Sequence, residues 1–110
     1  MKIYYDPEGD ILEVQFKLGE TKNRSGIGLT DQITIFCDTS FQQALGFTAL
    51  AYSRLLTLPE APLNELNNAP RDIQDKIRKL IISSPLSRFF NLVNDKIGLR
   101  DIKISESVSF

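Results

Sequence analysis

Apolar residues stand on alternate positions along the first half of the chain and at helical spacing along much of the second. Over residues 11–18, Leu12, Val14, Phe16 and Leu18 share one face, while Glu13, Gln15 and Lys17 share the other. That period of two predicts a half-buried strand. Residues 2–5 alternate in the same way, with Ile3 and Tyr5 on one side. Between the two runs, Asp6-Pro7-Glu8-Gly9-Asp10 supplies turn chemistry: Pro7 presets φ, Gly9 tolerates positive φ, and an Asp can bond the backbone two residues on. A β-hairpin is expected. Ile33, Ile35 and Cys37 alternate with Thr34 and Phe36, and Leu45, Phe47 and Ala49 alternate across Gly46 and Thr48. Asp38-Thr39-Ser40 begins the connection between these strands. Gly19 and residues 22–28 read as the connection after the second strand. Residues 24–29 either join the sheet or remain connection, Gly26 and Gly28 weighing against a strand. The expectation is an antiparallel meander of about four strands.

The period changes beyond Leu56. Pro59, Pro62 and Pro70, with Asn64, Asn67 and Asn68 between them, mark a connection in which Leu63 and Leu66 fit one short turn packed down on the sheet. Ile73, Ile77, Leu80 and Ile81 then fall at i, i+4, i+7 and i+8, an apolar helical stripe with Pro70 at a favoured first-turn position. Ile82 lies off that stripe. A second helix is expected after Ser83, with Ser84 as N-cap, Pro85 at the first helical position, and Leu86, Phe89, Phe90, Val93 and Ile97 on one face until Gly98. After Gly98, Ile102, Ile104, Val108 and Phe110 alternate with polar residues, which fits a last strand interrupted on its apolar face by Glu106.

The predicted architecture is therefore α+β, an antiparallel sheet covered on one face by a pair of helices, in one domain spanning residues 1–110. Its parts are a β-rich half (1–56), a connection (57–69), a helical pair (70–98) and a strand or tail (99–110). A chain of 110 residues can bury one real core and not two. Ile73, Ile77, Leu80, Phe89, Phe90 and Val93 are expected to meet Leu12, Val14, Phe16 or their sheet neighbours.

Composition narrows the chemistry. The chain has no histidine, which removes the commonest general base and the most frequent metal ligand. Its single cysteine, Cys37, has no internal disulfide partner and falls on an inward strand position, so a packed small hydrophobe is expected there. The first residues show no apolar signal segment, and no stretch has the roughly 18 consecutive apolar residues of a membrane span. A reducing cytoplasm is the expected location. No phosphate-cradling glycine loop, paired-cysteine zinc pattern or nucleophile elbow occurs.

One cluster invites a metal or acid–base reading: Asp6, Glu8 and Asp10, on alternate positions next to a glycine. A calcium loop brings its ligands in from a sharply turned backbone and closes with a glutamate. Here a proline sits among the acids, Gly9 precedes the third of them, and no closing glutamate follows. A plain turn is expected, with no metal, no cofactor and no catalytic residue. Tyr4 and Tyr5 read as sheet residues, and the chain is expected not to be an enzyme.

Charge leaves one alternative open. The net charge is −1, but residues 71–100 carry Arg71, Lys76, Arg78, Lys79, Arg88, Lys96 and Arg100 against Asp72, Asp75 and Asp95. A basic helical pair can grip phosphate, with Arg71, Arg78 and Lys79 as the contact face. Against this, Asp72 is four residues from Lys76, and Asp75 four from both Arg71 and Lys79, the spacing of a solvated, salt-bridged helix face. Nucleic acid is thus the second choice of partner, behind protein.

Met1-Lys2-Ile3, Tyr5-Asp6-Pro7, Glu8, Asp10, Leu12, Val14 and Phe16 resemble the opening of an uncharacterised bacterial family of very short β-rich proteins, a domain of unknown function. Residues 33–38 followed by Leu45-Gly46-Phe47 are similar to that family's later pair of strands. The chain departs from the family pattern at Thr48, where an acid is common, in its glycine-free Gln42-Gln43-Ala44, and in its long C-terminal extension. Some members are suspected partners of small toxin-like proteins. The resemblance implies a binding role, as a protein-interaction module or a homo-oligomer, and carries no catalytic residue across. Ile82, exposed off its helix stripe, joins Arg71, Arg78 and Lys79 as the candidate partner-binding residues.

Overall fold

A computed structural model of the chain describes residues 1–16 and 24–100. Strands β1 (Lys2–Asp6) and β2 (Ile11–Gln15) form the expected hairpin, with Ile3 opposite Val14 and Tyr5 opposite Leu12. Their inward positions, Ile3, Leu12 and Val14, are buried. The Asp6 carboxylate accepts a hydrogen bond from the Glu8 N–H at 3.1 Å, and Asp10 takes a positive φ of 53°. The left-handed position of this turn thus falls on Asp10, a residue type that tolerates it.

Strands β3 (Arg24–Gly28), β4 (Ile33–Asp38) and β5 (Ala44–Leu50) complete a five-stranded antiparallel sheet in the order β1-β2-β5-β4-β3. One alternative left open by the sequence is resolved here, and the expected meander of about four strands changes. Residues 24–28 do join the sheet, as an edge strand, and the order is not that of a simple meander, because β5 and not β3 lies beside β2. The central place of β5 has a sequence basis: it is buried along most of its length and carries Gly46, where a Cβ would collide with the Val14 carbonyl oxygen of β2. Only glycine lets the two backbones approach this closely. The β4–β5 register shifts between Phe36 and Cys37, a bulge that buries Leu45 beside Ala44 and Phe47.

A single helical turn, α1 (Tyr52–Leu55), follows β5 within what reads as the β-rich half. The connection after it contributes the two-residue strand β6 (Ala61–Pro62) and a 3-10 turn over Leu66–Asn68, with Leu63 and Leu66 fully buried as expected. The long helix α2 (Arg71–Ile81) begins directly after Pro70. Ile77 and Ile81 are buried and Ile73 and Leu80 half-buried, so the apolar stripe faces the core.

The second expected helix is not formed. The Ser84–Pro85 peptide is cis, a single 3-10 turn covers Leu86–Arg88, and the chain then makes a hairpin of β7 (Phe90–Val93) and β8 (Lys96–Leu99). Asn94 and Asp95 both take positive φ, 52° and 61°, which is what the tight two-residue turn of a twisted hairpin requires and what Asn and Asp tolerate best among side chains with a Cβ. β8 pairs with β6 on its other side, giving a three-stranded second sheet. Pro62 sits on the edge strand, where a missing N–H costs least.

Phe89 and Phe90 still reach the core. The Phe47 ring lies 5.2 Å from Phe89 and 4.7 Å from Phe90, both edge-on, and Phe16 lies 5.7 Å from Phe89. Val93 does not: its side of the hairpin leaves it 52% exposed. The architecture is α+β, as the periodicity predicts, with a small second sheet in place of the second helix. The expected last strand over 102–110 and the Lys17–Leu18 end of the second strand lie outside the described residues.

Candidate functional site

The three acids of the opening turn are held apart by separate structural tasks. Asp6 bonds its own turn, Glu8 is exposed, and Asp10 reaches α1. The Asp10 carboxylate accepts from the Ser53 N–H at 3.0 Å, the Ser53 hydroxyl at 2.7 Å and the Tyr5 hydroxyl at 2.6 Å. It therefore caps the first turn of α1 from a distant part of the chain. These bonds, Tyr5 first and then Ser53, hold the carboxyl below its usual value of 3.8. Cys37 is buried, its thiol 3.8 Å from the Ser25 carbonyl oxygen. Burial first, and the nearby Asp38 second, push it up to about 11, so it stays protonated at neutral pH. Among the described residues, no group of three or more His, Cys, Asp or Glu side chains is placed to hold a metal ion.

A different place has the shape of a binding site. Between α2 and the β4–β5 turn runs a groove of about 580 Å³, within the range of roughly 300 to 1,000 Å³ common for ligand sites. Its apolar wall is made by Phe16, Phe41 and Leu80, and its rim carries Lys76, Lys79 and Gln42. None of the described residues that line it is acidic.

The turn side of the groove is built by Asp38. Its carboxylate accepts from the Ser40 hydroxyl at 2.6 Å and from the backbone N–H groups of Gln42 and Gln43 at 2.8 and 2.9 Å. Those bonds hold Phe41 at φ 59°, a left-handed conformation costly for a bulky side chain. In a turn without glycine the left-handed position falls on an aromatic residue, whose ring lines the groove.

Because these bonds, Ser40 first, depress the Asp38 carboxyl, as Tyr5 and Ser53 depress Asp10, the folded chain binds fewer protons at acid pH than the unfolded chain does. The stabilisation is complete above the unfolded carboxylate pKa of about 3.9 and is lost as pH falls through the lower folded values. The urea midpoint should thus fall between neutral pH and about pH 3, and less steeply in Asp38→Asn. An unchanged slope in Asp38→Asn would show that the turn carboxylate is not coupled to folding.

The structure separates the candidate partner-binding residues. Ile82, immediately after α2, is 65% exposed. Arg71 is exposed in the first turn, and Lys79 lines the groove. Arg78 turns to the other flank of the stripe: its guanidinium bonds Asp95 at 2.8 and 3.1 Å, the Asn67 side-chain oxygen at 2.8 Å and Gln74 at 3.1 Å. It ties α2 to the β7–β8 turn and does not share a free basic face with Arg71 and Lys79. Among the described residues, none of the i, i+4 pairs expected on α2 closes to ion-pair distance. Lys76 and Phe41, the other principal groove residues, were missed from sequence. The signal for Lys76 was its position beside Leu80 at the margin of the apolar stripe; for Phe41 no local signal distinguishes a half-buried ring packed at the edge of the core from a fully buried one.

No family model, no curated protein and no solved structure matches this chain.

Proposed function

We propose that the chain is a non-catalytic protein-interaction module that takes its partner along the groove between α2 and the β4–β5 turn, with exposed Ile82 beside it. The observation that carries this reading is Phe41, an aromatic side chain held half-exposed in a strained backbone conformation by four residues of hydrogen-bonded turn, opposite a half-buried leucine and two lysines without carboxylate partners among the described residues. Strain of this kind persists where the surroundings over-determine it, and it collects at binding sites. Aromatic anchors in pockets are the usual centre of binding energy between proteins. The resemblance of the first half to β-rich proteins with suspected small partners supports the same reading. The single buried thiol suits a reducing cytoplasm as the location.

Nucleic-acid binding is the weaker reading. It needs several cations on one face, and Arg78 is committed to Asp95 and Asn67. Among the described residues no helix is long and apolar enough to cross a membrane.

A photocrosslinking residue in place of Ile82 or Phe41, expressed in the native host, tests the proposal, with Glu13 on the opposite sheet face as control. A discrete crosslinked protein at positions 82 and 41, absent at 13, is expected. The same pattern at all three positions, or none, would reject it. Sedimentation of the purified chain shows whether the captured partner is a second copy.

A further inference from the structure

We propose that the occupant of the groove is an extended acidic segment of another protein, with the local pattern acid, apolar, acid. This rests on the protein-interaction reading above and adds the chemistry of the partner. Lys76 and Lys79 stand three residues apart on the same flank of α2, which places their Cβ atoms about 5–6 Å apart. In an extended chain, alternate side chains point the same way about 7 Å apart, and the one between them points to the opposite face. Two carboxylates at alternate positions therefore match the two ammonium groups on α2, while the intervening side chain, directed the other way, meets the Phe41 ring on the facing wall. The helical part of the rim, from Lys76 to Leu80, is just over one turn, about 6 Å long, close to the two steps of about 3.3 Å that separate alternate residues of an extended chain. The exposed Gln42 and Gln43 side chains face that path with amide donors and acceptors.

Charge decides the sign of the ligand. Both cations lining the groove are lysines with no carboxylate at ion-pair distance among the described residues, and no described acid lines it. A basic or neutral segment would leave both ammonium groups unanswered. A nucleic acid would need several phosphate contacts for useful affinity at physiological salt, and this groove offers two cations beside an apolar wall.

The test uses the whole chain and a fluorescein-labelled heptapeptide with Glu-Phe-Glu at its centre. Its Gln-Phe-Gln and Glu-Ala-Glu counterparts, and a mixed-sequence oligonucleotide, complete the set. Fluorescence anisotropy at about 50 mM salt, a condition that favours ionic contacts, should show saturable binding of the acidic peptide. Both counterparts should bind at least about tenfold more weakly. Lys76→Gln with Lys79→Gln should cost the acidic peptide about the same factor and leave the Gln-Phe-Gln peptide unchanged, the coupling expected of a direct contact. Both lysines are exposed, so the urea midpoint of the double variant should match that of the parent. Equal binding of the acidic and amide peptides would overturn the proposal, as would stronger lysine-dependent binding of the oligonucleotide. If no peptide binds but positions 41 and 82 still crosslink one protein, the partner's chemistry is wrong and the interaction reading stands. If neither occurs, both fall. Lysine-dependent dimerisation of the purified chain would replace the acidic segment by a second copy.

Discussion

Phe47→Ala should lower the unfolding free energy by about 3 to 5 kcal/mol, the range seen when a buried phenylalanine is truncated. Phe47 is fully buried on the central strand β5, and its ring meets Phe16 at 6.1 Å, Phe89 at 5.2 Å and Phe90 at 4.7 Å. The last two contacts are edge-on, an arrangement that contributes about 0.5 to 1.5 kcal/mol beyond area burial for each pair. The residue thus joins the large sheet to the segment leading into the small one, and its loss removes contacts that surrounding rings cannot all recover. With a urea dependence near 2 kcal/mol per molar, the midpoint should fall by roughly 2 M. Val93→Ala is the matched control: at 52% exposure it should stay within about 0.5 kcal/mol of the parent. A Phe47→Ala loss under about 1 kcal/mol would mean that the two sheets do not share this core.

Gly46→Ala should be the second large effect, and by a different route. The added Cβ meets the Val14 carbonyl oxygen and closely approaches Gln15 Cα, both backbone atoms of β2. A side chain could rotate aside, but here a strand must shift, and overpacking of this kind costs about 1 to 3 kcal/mol or more. Gly26→Ala offers the comparison. On the edge strand β3, its Cβ would lie 3.2 Å from the Phe36 ring, which can move outward. The Gly46 variant should therefore lose clearly more stability than the Gly26 variant in the same urea titration. Equal losses would count against the close β2–β5 approach, and with it the strand order that places β5 between β2 and β4.

Most of the apolar core, and Phe16 and Leu80 of the groove wall, were legible because the relevant patterns are local and unopposed. Leu12 and Val14, Ile33 and Ile35, and Ile73, Ile77 and Ile81 each repeat one period over several residues, with polar residues between them. The exposure of Ile82 followed from the same stripe. Residues 86–99 carried two periods at once. Leu86, Phe89, Phe90, Val93 and Ile97 suit a helix, whereas Phe90, Leu92, Ile97 and Leu99 alternate on either side of Asn94-Asp95. A helix over these residues leaves Leu92 unexplained and makes no use of two consecutive residues that tolerate positive φ. That pair held the usable signal for the hairpin.

By itself the sequence determined the α+β class, the β1–β2 hairpin, the β4 and β5 strands, α2 and the burial of its stripe, since periodicity and turn residues act through neighbours along the chain. Only the tertiary structure decided which strands lie side by side, what Asp10 does, and where a groove opens. Each of these depends on groups far apart in sequence: Asp10 caps a helix through Ser53, β5 closes on β2 through Gly46, and the groove joins Phe41 from one turn to Lys76 and Leu80 from a distant helix. Backbone polar groups and apolar faces must find partners as the chain compacts, and local patterning specifies that need without naming the partner.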